Sequence, residues 1–201
     1  MADKKMLSEL YEYDDAVRNE LSGGFLCGVD EAGRGPLCGP VVAAAVILPP
    51  GLYIEGLNDS KKLTEKKREA LFDEIIKKAV AFSIKSVDEK VIDEINILNA
   101  THKAMNEAVN SIKIKPDYVL IDGNSIKNMT IPHETIISGD AKSISIAAAS
   151  ILAKVARDRY ILEYAKEYPQ YMFEKHKGYG TKLHTEAILK YGPCPIHRRT
   201  F

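Results

Sequence analysis

An α/β domain built on a mixed sheet of about five strands is the architecture the sequence predicts. Short apolar stretches bounded by turn residues recur along the chain, as the strands of a buried sheet do. Between them lie long segments whose apolar residues are spaced by three and four, the signature of helices with one buried face. The order of the two kinds sets the pairing. Two strands joined by a short loop open the domain and should pair antiparallel, and a later strand–helix–strand order makes parallel neighbours.

Residues 1–20 are charged and read as a short amphipathic helix or a loose arm, so that 1–24 form an N-terminal arm and 25–201 the folded unit. FLCGVD (25–30) is a short buried strand. GPVVAAAVILPP (39–50) is apolar until it stops at a double proline, as a strand covered on both faces would. Pro, Gly, Asn and Asp punctuate 49–64, which is a loop. Thr64 caps a helix in which Leu71, Ile75 and Ala79 recur every four residues. AFSIKSV (81–87) alternates like a strand. In the next helix Val91, Ile95, Leu98, His102, Met105, Val109 and Ile112 keep one face apolar, with His102 expected as a core histidine with a satisfied hydrogen bond and a catalytic role as the minority reading. PDYVLIDGN (116–124) is a strand ending at Asp122, and HETIISGD (133–140) is another, ending at Asp140. The alanine-rich stretch 143–168 is a long helix able to pack closely. Turn signals in KGYGT and YGPCP break the remainder into short helical pieces.

Composition narrows the class. Hydrophobic residues make up 45% of the 201, ordinary for a soluble globular protein, and no apolar run is long enough to span a membrane. The N-terminus lacks the apolar centre of a secretory signal, and Cys27, Cys38 and Cys194 form no C-x-x-C pair. This odd, scattered set argues against a disulfide framework or a cysteine zinc site, and a reducing cytoplasmic setting is expected. Acidic and basic residues balance at 28 each, but residues 171–201 hold Lys175, Lys177, Lys182, Lys190, Arg198 and Arg199 against Glu174 and Glu186 alone. Such a tail reads first as a solvated basic surface, and it could also attract phosphates. His176, His184 and His197 in the same tail lack the tight spacing of a zinc site and should bond locally or line the basic surface.

The candidate chemistry gathers at strand ends. Asp30 with Glu31, Asp122, and Asp140 each sit at the end of an expected strand, and ligand sites of open α/β sheets lie at those ends. Taken singly, each acid is more often structural, since Asp–Gly and Gly–Asp pairs are common in turns. Together, four carboxylates would repel one another unless hard divalent cations neutralised them. Mg²⁺ and Mn²⁺ prefer oxygen ligands, and two such ions about 3.5–4 Å apart can activate water and stabilise the leaving oxygen of a phosphodiester. Spacing alone leaves phosphatases and other phosphoryl-transfer enzymes open. Just beyond the first pair, Gly33-Arg34-Gly35 lets backbone groups approach a ligand closely, with Arg34 able to reach a phosphate. This loop is too short for a Walker motif and does not match the dinucleotide pattern.

GVDEAGRGPLCGPVVAAAVIL, LNDSKKLT, VLIDGN, SGDAKSISIAAASILAKVARDR, FEKHKGYGTKLH and GPCPIHRRTF together resemble bacterial ribonuclease HII, the type 2 ribonuclease H, in the family's order from about residue 25 to the last residue. The resemblance implies the ribonuclease H-like fold, a mixed five-stranded sheet flanked by helices, with a C-terminal helical extension that helps hold substrate. It implies an endonuclease that hydrolyses the RNA strand of RNA–DNA hybrids. It also implies incision 5′ of single ribonucleotides embedded in duplex DNA, leaving 3′-hydroxyl and 5′-phosphate ends. Asp30, Glu31, Asp122 and Asp140 match the family's catalytic, metal-binding carboxylates, which implies Mn²⁺ or Mg²⁺ as cofactor. Gly33, Arg34 and Gly35 match the loop that reads the ribose 2′-hydroxyl, and Tyr179 the tyrosine that stacks on the sugar at the RNA–DNA junction. Lys61, Lys62, Lys142 and Ser145 are reasonable phosphate contacts or else ordinary surface residues. Arg157 and Asp158 read as a structural pair between the long helix and its neighbours. Cys38 and Cys194 stand where the family would place small or polar residues. The stretch ahead of Asp30 is too short for the added substrate-binding domain of ribonuclease HIII, which with Tyr179 favours HII. A cytoplasmic monomer without membrane association, acting on hybrids and on duplex DNA containing ribonucleotides, is the expectation. The alternative is a non-catalytic nucleic-acid-binding module on a nuclease-like fold, and the presence of all four acids speaks against it.

Overall fold

The computed structural model describes residues 2–58 and 60–201, with the backbone alone for residues 2–7. Asp59, inside LNDSKKLT, therefore lies outside the described residues, as do the side chains of the first turns of the N-terminal segment. One sheet runs in the order β3-β2-β1-β4-β5, with β1 Leu26–Ala32, β2 Val41–Ile47, β3 Ala81–Val87, β4 Tyr118–Asp122 and β5 His133–Ile136. β2 pairs antiparallel with β1 and β3, and β4 lies parallel between β1 and β5. Helices α1 Ala2–Glu20, α2 Glu65–Lys78, α3 Glu89–Ser111, α4 Ile144–Glu167, α5 Phe173–His176 and α6 Lys182–Tyr191 complete the chain. This is the mixed, helix-flanked sheet that the sequence predicts. Among the described residues no helix is long and apolar enough to cross a membrane.

The interior place of β2, between β3 and β1, explains its unbroken apolar run. Ala44 and Val46 pack against α2 and α4, while Val41, Ala43, Ala45 and Ile47 pack against α3 on the opposite face. A strand covered on both faces has no polar side to alternate with. Two other elements depart from the sequence expectation. The long helix α3 is broken at Asn96, which takes φ +66 and caps the second half through Asn99 N–H to Asn96 Oδ1 at 3.1 Å. The break resets the helical phase, so Ile92 is buried and Leu98, expected in the stripe, is exposed. β5 stops at Ile136, and a 3₁₀ turn at Gly139–Ala141 delivers Asp140 ahead of α4, so this acid does not end a strand.

The N-terminal segment is a docked helix. Asp14 of α1, with no exposed surface, accepts hydrogen bonds from Ser143 Oγ (2.6 Å), Ser145 N (3.0 Å) and Ser145 Oγ (2.5 Å) at the start of α4. An acid there satisfies an amide that the helix leaves open and sits at the positive end of its dipole. The same contacts remove Ser145 from the phosphate-binding candidates: its hydroxyl is buried and committed to Asp14.

Helix α4 lies directly on β1. A Cβ added at Gly28 would stand 2.1 Å from the Ser145 carbonyl carbon, inside the backbone of α4. Glycine is needed at that position for close approach rather than for an unusual backbone angle. Gly28→Ala should therefore destabilise the fold by about 3 kcal/mol, the upper end of ordinary overpacking costs, because backbone cannot rotate away as a side chain can. A urea midpoint equal to that of the wild type would contradict this close packing.

Candidate active site

Two parallel strands bring the first acids together. Val29 is level with Ile121 in the β1–β4 register, so Asp30 and Asp122 follow side by side one residue further on. Glu31 is still within β1, opposite Ala43 of β2, so both acids of the pair lie on the strand and not after it. Oxygens of Asp30, Glu31 and Asp122 all fall within 4.8 Å of one another. Asp122 Oδ1 accepts the Gly139 amide at 2.6 Å, which ties the 3₁₀ turn carrying Asp140 to the end of β4. Asp140 is buried beside this trio, with Oδ2 held by Lys61 Nζ at 3.0 Å.

The electrostatics are those of crowded like charges. Burial, then Glu31, Asp122 and Asp140, push the Asp30 carboxyl well above the usual carboxylate range. Burial also raises Glu31, against the pull of Arg34 3.5 Å away, and it raises Asp122, against the Gly139 hydrogen bond. Carboxylates raised in this way favour the folded state most at acid pH, and that contribution is lost as pH rises through their folded values. Four hard oxygen donors under mutual repulsion suit a divalent cation, which would relieve the repulsion.

The acid cleft, a hollow of about 220 Å³, is lined by the loop after β1 together with Lys61, Lys154 and Tyr179. The C-terminal segments hold that loop from behind. Leu37 N–H donates to Gly178 O (2.9 Å), Gly39 N–H to Ile196 O (2.9 Å) and Arg198 N–H to Leu37 O (3.0 Å). Beneath the loop lies Arg157 of α4, fully buried, donating to Lys177 O (3.0 Å) and Cys38 O (3.2 Å). Gly33, at φ +101, leaves room for it, since a Cβ there would stand 2.4 Å from Arg157 Nε. The half-exposed Tyr179 ring sits with Arg157 Cζ and Lys154 Nζ each 5.9 Å from its centre, and it lies beside Gly35.

A chain of histidines fixes the backbone at Tyr179. Cys194 N–H donates to His197 Nδ1 (2.9 Å), so His197 carries its proton on Nε2 and donates to His184 Nε2 (3.0 Å). His184 then keeps its proton on Nδ1, 3.0 Å from Tyr179 O. His176 stacks on His184 with ring centres 4.3 Å apart and accepts the Gly178 amide. Folding thus brings Cys38, His184 and His197 within 4.8 Å of one another despite their separation in sequence, but the imidazole nitrogens are already engaged in this hydrogen-bond chain.

Several sequence readings need correction here. Arg198 is buried and does not belong to a solvated basic surface. Arg157 has the structural role expected, tying α4 to neighbouring segments, but Asp158 pairs more closely with Lys154 at 2.8 Å on its own helix than with Arg157 at 4.0 Å. His102 is the buried core histidine expected, with a backbone hydrogen bond at Ser125, although its Nδ1 has no hydrogen-bond partner among the described residues. Lys61 lines the cleft, whereas Lys142 is exposed outside its lining. Sequence reasoning missed Lys154 and the Ser60–Ser150 hydroxyl pair (2.6 Å), both at the cleft. Their signal was present: Ser150, Lys154 and Arg157 follow one helical face at spacings of four and three.

Comparison with known proteins decides the lineage. The profile of the family described as Ribonuclease HII matches residues 27–201. The chain belongs to the ribonuclease HII family. A ribonuclease HII of Caldicellulosiruptor bescii is 60% identical over 197 residues, which cover 97% of this chain and 96% of that one. Among solved structures, the ribonuclease H2 of Pyrococcus horikoshii is 32% identical with a TM-score of 0.73, over 88% of this chain and 93% of its own. The Mn²⁺ complex of Bst-RNase HIII, 15% identical with a TM-score of 0.62 over 83% of this chain and 70% of its own, shares the fold. As a member of the ribonuclease HII family the protein is a ribonuclease H, an endonuclease acting on RNA–DNA hybrids.

The histidine chain predicts a pH effect. Burial first, then His176 and His197, lower His184 to about 4, outweighing the Tyr179 hydrogen bond. The unfolded chain therefore protonates before the folded one. The contribution of His184 is complete above its ordinary value of about 6.5 and is lost as pH falls towards about 4. In His184→Asn the amide nitrogen can keep the bond to Tyr179 O without a titrating group. Across that window the wild type should lose stability more steeply than this variant in urea titrations, and equal slopes would refute the assignment.

Proposed function

We propose that the enzyme, besides cutting the RNA strand of hybrids, incises duplex DNA on the 5′ side of a single embedded ribonucleotide, leaving 3′-hydroxyl and 5′-phosphate ends. The observation that carries this reading is the pairing of the acid cluster with a backbone loop and an exposed aromatic ring on the same cleft. Backbone groups can bond a 2′-hydroxyl whatever the base, which suits an enzyme that tells RNA from DNA at one nucleotide without reading sequence. Gly33, Arg34 and Gly35 make that check, and Tyr179 stacks on the neighbouring sugar. Asp30, Glu31, Asp122 and Asp140 hold divalent cations, and Mg²⁺ or Mn²⁺ fits four hard oxygen donors. Bound there, such ions supply a water nucleophile at neutral pH and offset charge on the leaving oxygen. Support for a divalent site on this fold comes from the ribonuclease HIII relative, whose structure contains Mn²⁺. Arg34 and Lys61 lie close enough to the acids, at 3.5 Å from Glu31 and 3.0 Å from Asp140, to swing from carboxylate to substrate phosphate.

The deciding experiment is cleavage of a labelled DNA duplex carrying one ribonucleotide, with Mg²⁺ or Mn²⁺ and with chelator. A single metal-dependent cut on the 5′ side is expected. An intact duplex beside a digested long hybrid would overturn single-ribonucleotide incision while leaving the ribonuclease H activity in place. Asp122→Asn should slow cleavage at least about 10²-fold. It should also melt higher than the wild type in chelator, because one repelling charge has gone while the Gly139 hydrogen bond can persist. Tyr179→Ala should reduce kcat/KM on the single-ribonucleotide duplex about tenfold more than on a long hybrid, since base or sugar stacking on an aromatic ring contributes about 1–3 kcal/mol. Equal losses on the two substrates would count against the stacking role.

A further inference from the structure

Arg198 spends every donor it has on one loop. Nη2 donates to Gly33 O (2.5 Å) and Gly39 O (2.8 Å), Nη1 to Arg34 O (2.9 Å) and Pro36 O (2.8 Å), and Nε to Gly39 O (3.0 Å). A guanidinium has five N–H groups, so none is left for substrate or for a carboxylate. The Phe201 ring covers its face, with the guanidinium carbon 4.8 Å from the ring centre. The cation is buried, so it cannot serve as a phosphate contact.

What this does to the loop follows from the planarity of the peptide. In a trans peptide the N–H of a residue points opposite to the C=O of the residue before it, and this chain has no cis peptide bonds among its described residues. Turning the Gly33 and Arg34 carbonyls towards Arg198 therefore turns the Arg34 and Gly35 amides away from it. The same rule governs the other two captured carbonyls. The amide after Pro36, that of Leu37, bonds Gly178 O, and the residue after Gly39 is Pro40, which has no N–H to strand. Arg34 and Gly35 line the acid cleft, and among the described residues neither backbone N–H has an acceptor.

We propose that Arg198 is a positioning residue for ribonucleotide discrimination: by gathering the carbonyls of Gly33, Arg34, Pro36 and Gly39 it presents the Arg34 and Gly35 amides to the cleft as a fixed pair of donors for a sugar hydroxyl oxygen. This rests on the reading of the loop as the 2′-hydroxyl sensor. Arg198 never touches substrate, and it acts from the side of the loop opposite the chemistry. Lysine cannot replace it, because an ammonium has three donors at one point and cannot span four carbonyls spread over seven residues.

The test uses the full-length enzyme, Arg198→Lys and Arg198→Ala, a duplex with one ribonucleotide as substrate and the all-DNA duplex of the same sequence as competitor. In Arg198→Lys, kcat/KM on the ribonucleotide duplex should fall about 10²-fold, the loss expected when reacting groups are misplaced by about 1 Å. The ratio of competitor Ki to substrate KM should fall towards one, while the melting temperature changes by only a few degrees. Guanidinium ion at millimolar concentration should restore part of that ratio in Arg198→Ala. Undiminished discrimination in Arg198→Lys overturns the proposal. So does an Arg198→Ala protein whose activity falls only with its folded fraction, with discrimination intact and no response to guanidinium. A wild type that cuts hybrids but shows no preference for the ribonucleotide duplex over the competitor instead overturns the reading of the loop itself.

Discussion

At Gly28 no side chain fits between β1 and the start of α4, and the rest of the molecule is arranged around that contact. Gly28 brings the start of α4 onto the strand that carries Asp30 and Glu31. The 3₁₀ turn ahead of α4 then has nowhere to place Asp140 except beside Asp30 and Asp122. Further along, the same helix sets Ser150 and Lys154 at the cleft and Arg157 beneath the loop. Close-packed interiors transmit such constraints because a backbone contact has no rotamer by which to relax. Asp14 fastens the first turn of α4 from the other side, which makes α1 part of the framework that positions the site.

The molecule keeps two sets of buried charges apart. Asp30, Glu31 and Asp122 face the cleft, crowded enough that burial and mutual repulsion raise them, and they are left in a state that favours a cation over stability. The arginines lie behind the loop, and carbonyl oxygens rather than carboxylates answer them. Burial first, then Arg157, lowers Arg198 to about 10, which still leaves it a cation at neutral pH. Carbonyls suit this purpose because each is tied to a peptide plane, so a charge that collects them also fixes the orientation of the amides between. A carboxylate would have neutralised the charge without shaping the loop.

The C-terminal segments are accordingly part of the acid-cleft side of the molecule, although they add no strand to the sheet. Tyr171 and Phe173 stack with ring centres 5.3 Å apart and pack with Cys38, Cys194 and Ile196 into a small apolar cluster of their own. That cluster is joined to the loop after β1 by the Cys38–His197 bridge, and the histidine chain carries the connection on to Tyr179. Cys38 and Cys194, which stand where smaller or polar residues were expected, are buried here as packing groups. Burial pushes the Cys38 thiol up to about 12, so it is held protonated and unreactive at neutral pH.

Local pattern was enough for the sheet, most of the helices and the acids that cluster, because each depends on short-range properties. The apolar run of β2, the Thr64 cap and the acids at the ends of β1 and β4 are all visible within a few residues. The elements that escaped are those decided by a single backbone angle or by a distant partner. Asn96 breaks α3 by taking φ +66, and nothing in the apolar spacing around it marks the break. Ser145 looked available until Asp14, 131 residues earlier, was found to hold it. Arg198 looked like one charge in a basic tail. Only the folded chain brings it against carbonyls 159 to 165 residues away, because where a long flexible side chain goes is set by the acceptors around it and not by its neighbours in sequence.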